Sequence, residues 1–238
     1  MIVLIITAVR IKSMDSHRIS GRILAENIAG PGMLRLVEQS MQARAQKTSV
    51  TEIAVKERKH PQAALTFDDG PDIRYTPLLL DGLKERNVRV SFFLLGEKVE
   101  QYPELVERMQ KEGHLVGNHT YHHVQLNKLN ETKAREEILK TNNLIYETTG
   151  VYPLYLRPPF GAWKKNLELC VEMLPVFWTI DTLDWKVQNT EKIVRTVQEQ
   201  IEDGAIILMH DEYDTSVEAA LQVVDELKNQ GYELVTVD

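Results

Sequence analysis

The chain has 238 residues, with 28 Lys and Arg against 35 Asp and Glu for a formal net charge of −7; 43% of residues are hydrophobic and 26% are charged. This is ordinary globular usage, which excludes a disordered or fibrous chain, and no apolar run reaches the ~20 residues of a membrane span. The acidic balance opposes generic binding to a nucleic-acid backbone, and a single cysteine, Cys170, excludes an intrachain disulfide and a Cys-rich metal site.

Charge is unevenly placed. Residues 1–60 hold 10 basic and 5 acidic side chains, whereas residues 61–238 hold 18 and 30. The two parts are expected to do different work. Met1 to Val9 reads MIVLIITAV, followed by Arg10 and Lys12. It is too short to span a bilayer and lacks the basic segment that precedes a signal-peptide core. It reads either as a buried element or as the remnant of a membrane anchor, and the anchor is the expectation carried forward. Residues 13–60, broken by Gly30-Pro31-Gly32, read as a linker.

From Gln62 onward, apolar runs of strand length alternate with helical patterns. Strands are expected at 63–67, 88–95, 114–118, 154–157, 176–180, 205–210 and 233–237. Helices are expected at 76–87, 97–112, 131–149, 190–203 and 215–230, several of them closed by glycine. Alternating β and α elements argue for an α/β fold with a parallel sheet, close to a (β/α) barrel of about seven strands. In such folds chemistry gathers at the carboxyl ends of the strands.

The polar residues that stand out all fall at those ends. Asp68-Asp69-Gly70-Pro71 follows the first strand. One carboxylate can ligate a metal while its neighbour stays free as a base, although Asp-Asp-Gly alone is also an ordinary acidic turn. His119 and His123 stand four apart, so on a helical turn both imidazoles would reach one ion, with Asp69 as the third ligand. Three N/O ligands plus water form an open catalytic site, and this donor set suits zinc, cobalt or manganese. Arg157-Pro158-Pro159-Phe160-Gly161 is a stiff turn that can aim the Phe160 N–H as an oxyanion donor. Asp184-Trp185 follows a fifth strand and His210 ends a sixth. His210 is placed as a general acid, and Asp184 as the carboxylate that orients its ring. Each signal is bland by itself. Jointly they supply a metal triad, a base, an acid, an orienting carboxylate and an oxyanion donor, which is a hydrolytic kit.

These segments resemble the polysaccharide deacetylases, the NodB-homology domain of carbohydrate esterase family 4. The resemblance covers residues 60–238 and rests on TFDDGP (66–71), HTYHH (119–123), RPPFG (157–161), DTLDW (181–185) and LMH (208–210). It implies a distorted (β/α) barrel and a divalent metal. Asp69, His119 and His123 would be ligands, Asp68 the base, Arg157 the partner that keeps Asp68 ionised, and His210 the acid backed by Asp184. Trp185 and Leu208 would wall the acetyl pocket, with Tyr121 also on the substrate side. Phe160 stands where the family commonly has tyrosine.

The expected activity is removal of N-acetyl groups from a GlcNAc-containing polysaccharide, peptidoglycan or chitin-type oligomers. Two rival readings stand beside it: O-deacetylation of acetylated xylan, and a non-catalytic glycan-binding domain using an aromatic rim of Tyr121, Phe160, Trp163 and Trp185. A monomer in the cell envelope or outside the cell is expected, with membrane attachment through the N-terminus; a cytoplasmic place stays open.

Overall fold

The computed structural model describes residues 60–163 and 173–238. The apolar start, the linker up to residue 59 and Cys170 therefore lie outside the described residues. Among the described residues no helix is long and apolar enough to cross a membrane.

The first strand, β1 (Gln62–Asp68), is buried from Ala63 to Asp68. Strands covered on both faces read as mostly apolar runs, and Ala63 to Phe67 does so with Thr66 as its one polar residue. It is followed by α1 (Tyr75–Glu85), β2 (Ser91–Leu94), α2 (Gly96–Gln101), α3 (Pro103–Lys111) and β3 (Leu115–Asn118). Next come α4 (Glu131–Thr149), β4 (Tyr155–Leu156), β5 (Leu174–Pro175), β6 (Ile180–Asp181) and a short α5 (Asp184–Val187). The described chain closes with α6 (Thr190–Gln200), β7 (Ala205–His210), α7 (Asp214–Asn229) and β8 (Glu233–Leu234). Seven strands run in the order β5-β4-β3-β2-β1-β7-β6, and β8 pairs with the first two residues of β1. Every pairing is parallel, and the sheet curls into an incomplete barrel, as the alternating pattern predicts.

β5 and α5 fall in no expected element, β2 starts at Ser91 and β8 is cut to two residues; two further departures have a visible cause. The helix expected over 97–112 is broken at Tyr102 (φ −133°, ψ 56°), and Pro103 opens a new helix there. Proline has no N–H to continue a helix but suits a first turn. The strand expected at 176–180 begins only at Ile180. Its earlier carbonyls turn inward, where the Arg157 guanidinium donates to Val176 O at 3.4 Å and Phe177 O at 3.5 Å. Thr179 stays beside β7 partly through its side chain, which accepts from the Ile206 N–H at 3.0 Å.

Alternation along the strands sorts the two faces of the sheet. Leu65 and Phe67 of β1, Phe92 and Leu94 of β2, and Ile207 and Met209 of β7 join the main core with helix residues such as Leu79, Leu83, Val223 and Val224. Thr66, Asp68, Leu208 and His210 occupy the opposite, concave face. A smaller cluster of Leu126, Ala134, Ile138 and Leu156 packs under α4.

His114, just before β3, belongs to the scaffold. It is 4% exposed, its ring meets Phe92 edge-on, and its Nδ1 accepts the Val90 N–H at 3.2 Å. Burial pushes its pKa down to about 4, and the accepted hydrogen bond requires the neutral ring. Because the unfolded chain binds this proton at higher pH than the folded one, stability is expected to fall as pH drops from about 6.5 toward 4. The loss by pH 5 is about 2 kcal/mol from this group. Melts at pH 7 and pH 5 check it: His114→Gln should lose less stability between them than the unaltered protein, and equal losses would refute the assignment.

Candidate active site

The parallel register of β1 and β7 places Asp68 directly beside His210, and Thr66 beside Leu208. Two strand ends thus bring a carboxylate and an imidazole together. Beneath them lies Arg157, which follows β4 and is fully buried. Its Nη1 donates to Asp68 Oδ1 at 2.8 Å and to Thr66 Oγ1 at 2.6 Å, and its guanidinium lies 4.2 Å from the Phe93 ring centroid. Burial raises the Asp68 pKa, and Arg157 opposes that pull. Burial is the larger effect, so the carboxyl lies above its ordinary value. The partnership implied by the resemblance is present, but it limits the upward shift without reversing it.

His119 follows β3. Its Nδ1 lies 2.7 Å from the Arg157 carbonyl oxygen. A carbonyl only accepts, so Nδ1 carries the proton and the Nε2 lone pair faces the other way. There Nε2 stands 3.4 Å from Asp69 Oδ1 and 3.7 Å from Asp68 Oδ2. His123 Nε2 also lies 3.4 Å from Asp69 Oδ1. One donor atom each from Asp69, His119 and His123 falls within 4.8 Å of the others. Asp69 Oδ1 is buried and has no hydrogen-bond partner among the described residues. Burial pushes His119 down to about 3, which keeps its ring neutral. An orphaned carboxylate oxygen facing two imidazole nitrogens fits a divalent cation, since buried polar atoms otherwise find partners. The two histidines do not share a helical turn as their spacing suggests. They meet across a loop in which Thr120 (φ 68°) and His123 (φ 54°) are left-handed.

His210 is gripped by Asp184. Asp184 Oδ1 lies 2.8 Å from His210 Nδ1, and Asp184 Oδ2 accepts the His210 backbone N–H at 2.8 Å. Burial alone would lower the His210 pKa, but the bond and charge of Asp184 outweigh it and push the ring up to about 9. Asp184 itself is also buried, yet His210 holds it below the ordinary carboxylate value. With Nδ1 engaged, His210 Nε2 is left facing the cluster, 3.8 Å from Asp69 Oδ2.

Phe160 sits in a left-handed conformation (φ 59°), its ring 4.5 Å from that of His123 and 63% exposed. The neighbouring N–H groups of Gly161 and Ala162 donate to the carbonyls of Pro158 and Pro159. No acceptor takes the Phe160 N–H among the described residues. Trp185 is half exposed, and Leu208 is buried two residues before His210, on the same side of β7.

The proposed aromatic rim is only partly realised. Tyr121 is buried, with its hydroxyl donating to Glu100, so it stands behind the histidine loop and not on a sugar-facing surface. Trp163 packs against the smaller core cluster. Of the four rim aromatics, Phe160 and Trp185 remain exposed.

Five of the seven left-handed non-glycine residues among those described, Asp69, Thr120, His123, Phe160 and Leu183, crowd this one rim. Such backbone strain gathers at functional sites. Two further contributors have no role assigned from the sequence: Thr66, which opens the TFDDGP motif, and Glu137, which lies outside every motif. Thr66 links Arg157 to β7, donating to Ile207 O at 2.7 Å. Glu137, in mid-α4, reads as a solvent-facing helix charge yet bonds the histidine loop.

Comparison with known proteins agrees with this geometry. The family model described as Polysaccharide deacetylase matches residues 55–177. The peptidoglycan-N-acetylglucosamine deacetylase PgdA of Listeria monocytogenes is 42% identical over 183 residues, covering 77% of this chain and 39% of that protein. The chain therefore spans about two fifths of that relative. The solved structure of the peptidoglycan deacetylase PdaC from Bacillus subtilis superposes with a TM-score of 0.73 at 41% identity, over 75% of this chain and 89% of that one. A CE4 family pseudoenzyme from Bacillus anthracis superposes almost as well, with a TM-score of 0.71 at 28% identity over 75% of this chain and 64% of its own. Likeness of fold therefore does not decide activity.

Proposed function

This chain belongs to the polysaccharide deacetylase family, and from that footing we propose that it is a metal-dependent hydrolase removing N-acetyl groups from a GlcNAc-containing polysaccharide, peptidoglycan before chitin-type oligomers. The observation that carries the reading is the pairing of Asp68 with His210 across β1 and β7, beside the Asp69, His119 and His123 cluster. A domain that had abandoned turnover would have no need of a buried base and a charged acid at this spacing. The names of the relatives favour peptidoglycan, a polymer outside the cytoplasmic membrane, and with it action in the cell envelope or beyond.

Asp69, His119 and His123 would hold the ion, and zinc suits two imidazoles and a carboxylate, with cobalt and manganese close behind. Bound there, a divalent ion supplies Lewis-acid chemistry, lowering the pKa of water and polarising an acyl oxygen. Asp68 accepts one proton from the attacking water as the water oxygen bonds to the acetyl carbon. Its raised pKa makes it a better acceptor than an ordinary carboxylate. The Phe160 N–H donates to the oxyanion. His210, charged at neutral pH, gives its Nε2 proton to the sugar nitrogen as the C–N bond breaks. Acetate and a free amine result. Asp184 keeps the imidazole oriented throughout.

Acetate release from peptidoglycan fragments, chitopentaose and acetylated xylan tests the reading. Activity on the amide substrates is expected, lost with a chelator and restored by zinc, and His119→Ala should lose both activity and tight metal binding. Release from xylan alone would favour the esterase reading. Oligosaccharide binding without acetate release would favour the non-catalytic one.

A further inference from the structure

The loop that carries His119 and His123 holds two left-handed residues, Thr120 and His123. Neither is a glycine, so the surroundings must impose this shape. On one side the backbone N–H groups of Gly96 and Glu97, at the start of α2, donate to the carbonyls of Thr120 and Tyr121 at 3.0 and 3.3 Å. On the other side stands Glu137 of α4. Its Oε2 accepts the N–H of Tyr121 at 3.0 Å and that of His122 at 2.9 Å, and its Oε1 lies 2.8 Å from His122 Nδ1. One carboxylate thus binds two consecutive amides lying between the two histidines. Charge-assisted bonds of this kind are roughly twice as strong as neutral ones.

We propose that Glu137 is a positioning residue that holds the 119–123 loop in the shape in which both imidazoles face Asp69. The proposal rests on the metal reading above. Glu137 does not reach the ion; it fixes the backbone whose side chains do. The His122 ring adds a third bond but stands 58% exposed on its side-chain surface, where a bond contributes little. The two amide bonds are therefore the working part of the clamp.

The test is titration of the metal-free full chain with cobalt, read by its visible spectrum, alongside kcat at saturating metal. Glu137→Ala should weaken cobalt binding ~10–100-fold and alter the spectrum, the range expected when a residue supporting metal ligands is removed. Glu137→Gln keeps an oxygen for both amides and should stay within about 3-fold, as should His122→Ala. Excess metal should recover much of kcat in Glu137→Ala. A folded Glu137→Ala chain with unchanged affinity and spectrum overturns the proposal. If that variant fails to fold, Glu137→Asp decides: its shorter side chain cannot reach both amides, so affinity should drop about 10-fold, and an unchanged value overturns the idea. Failure of the unaltered chain to bind cobalt would instead refute the metal reading itself.

Discussion

Asp68→Asn is expected to cut turnover roughly 10²–10⁴-fold, the range a general base supplies, while metal binding stays intact. Asparagine has the same shape and can still accept from Arg157 at the Oδ1 position, so the fold should survive. What it lacks is a lone pair basic enough to hold a proton. The neighbouring Asp69 keeps its orphaned oxygen toward His119 and His123, and the ligand set is unchanged. Acetate release and metal content of the same purified sample check both halves. Loss of metal with activity returning on added zinc would reverse the roles given to the two aspartates.

Arg157→Leu should show the largest effect on stability, about 3–5 kcal/mol, the cost of breaking a buried ion pair from one side. Against a domain stability of roughly 5–15 kcal/mol this is a large fraction. The guanidinium bonds Asp68 and Thr66 and approaches the carbonyls of Val176 and Phe177, all inside the barrel. Removing it leaves a buried carboxylate that must protonate, together with carbonyls that lose their donor. The double variant Asp68→Asn with Arg157→Leu should be destabilised by less than the sum of the two single changes, because the stranded charge is gone. Urea unfolding of the four proteins measures the coupling. An Arg157→Leu chain as stable as the original would show that the pair contributes nothing to the fold.

That Asp68, His119, Arg157, Asp184 and His210 gather at one place is legible from the sequence, because a parallel sheet puts its strand ends on one rim and each of them comes after an apolar run. What could not be read was which ends would touch. The contact of Asp68 with His210 depends on β7 lying next to β1, although the two strands are far apart in sequence. The break at Tyr102 and the late start of β6 were hidden for different reasons. Pro103 permits a new helix as readily as it ends one. The carbonyls of Val176 and Phe177 are drawn away from the ladder by an arginine from another strand. Tyr121 reads like a rim aromatic from its motif alone, but Gly96 lets its ring settle against α2; a Cβ there would collide with it. Glu137 was invisible because a glutamate in mid-helix usually faces water, and nothing local says that a loop will fold over it.

Because Asp68 and His210 are register partners on paired strands, the gap between their backbones is gauged by the sheet, and Asp184 then aims the imidazole across it. The segments around the rim can change length or composition to admit a different sugar polymer without recalibrating that gap. On the proposed reading, proton transfer is tied to the sheet and the choice of polymer to the rim, with Phe160 belonging to both.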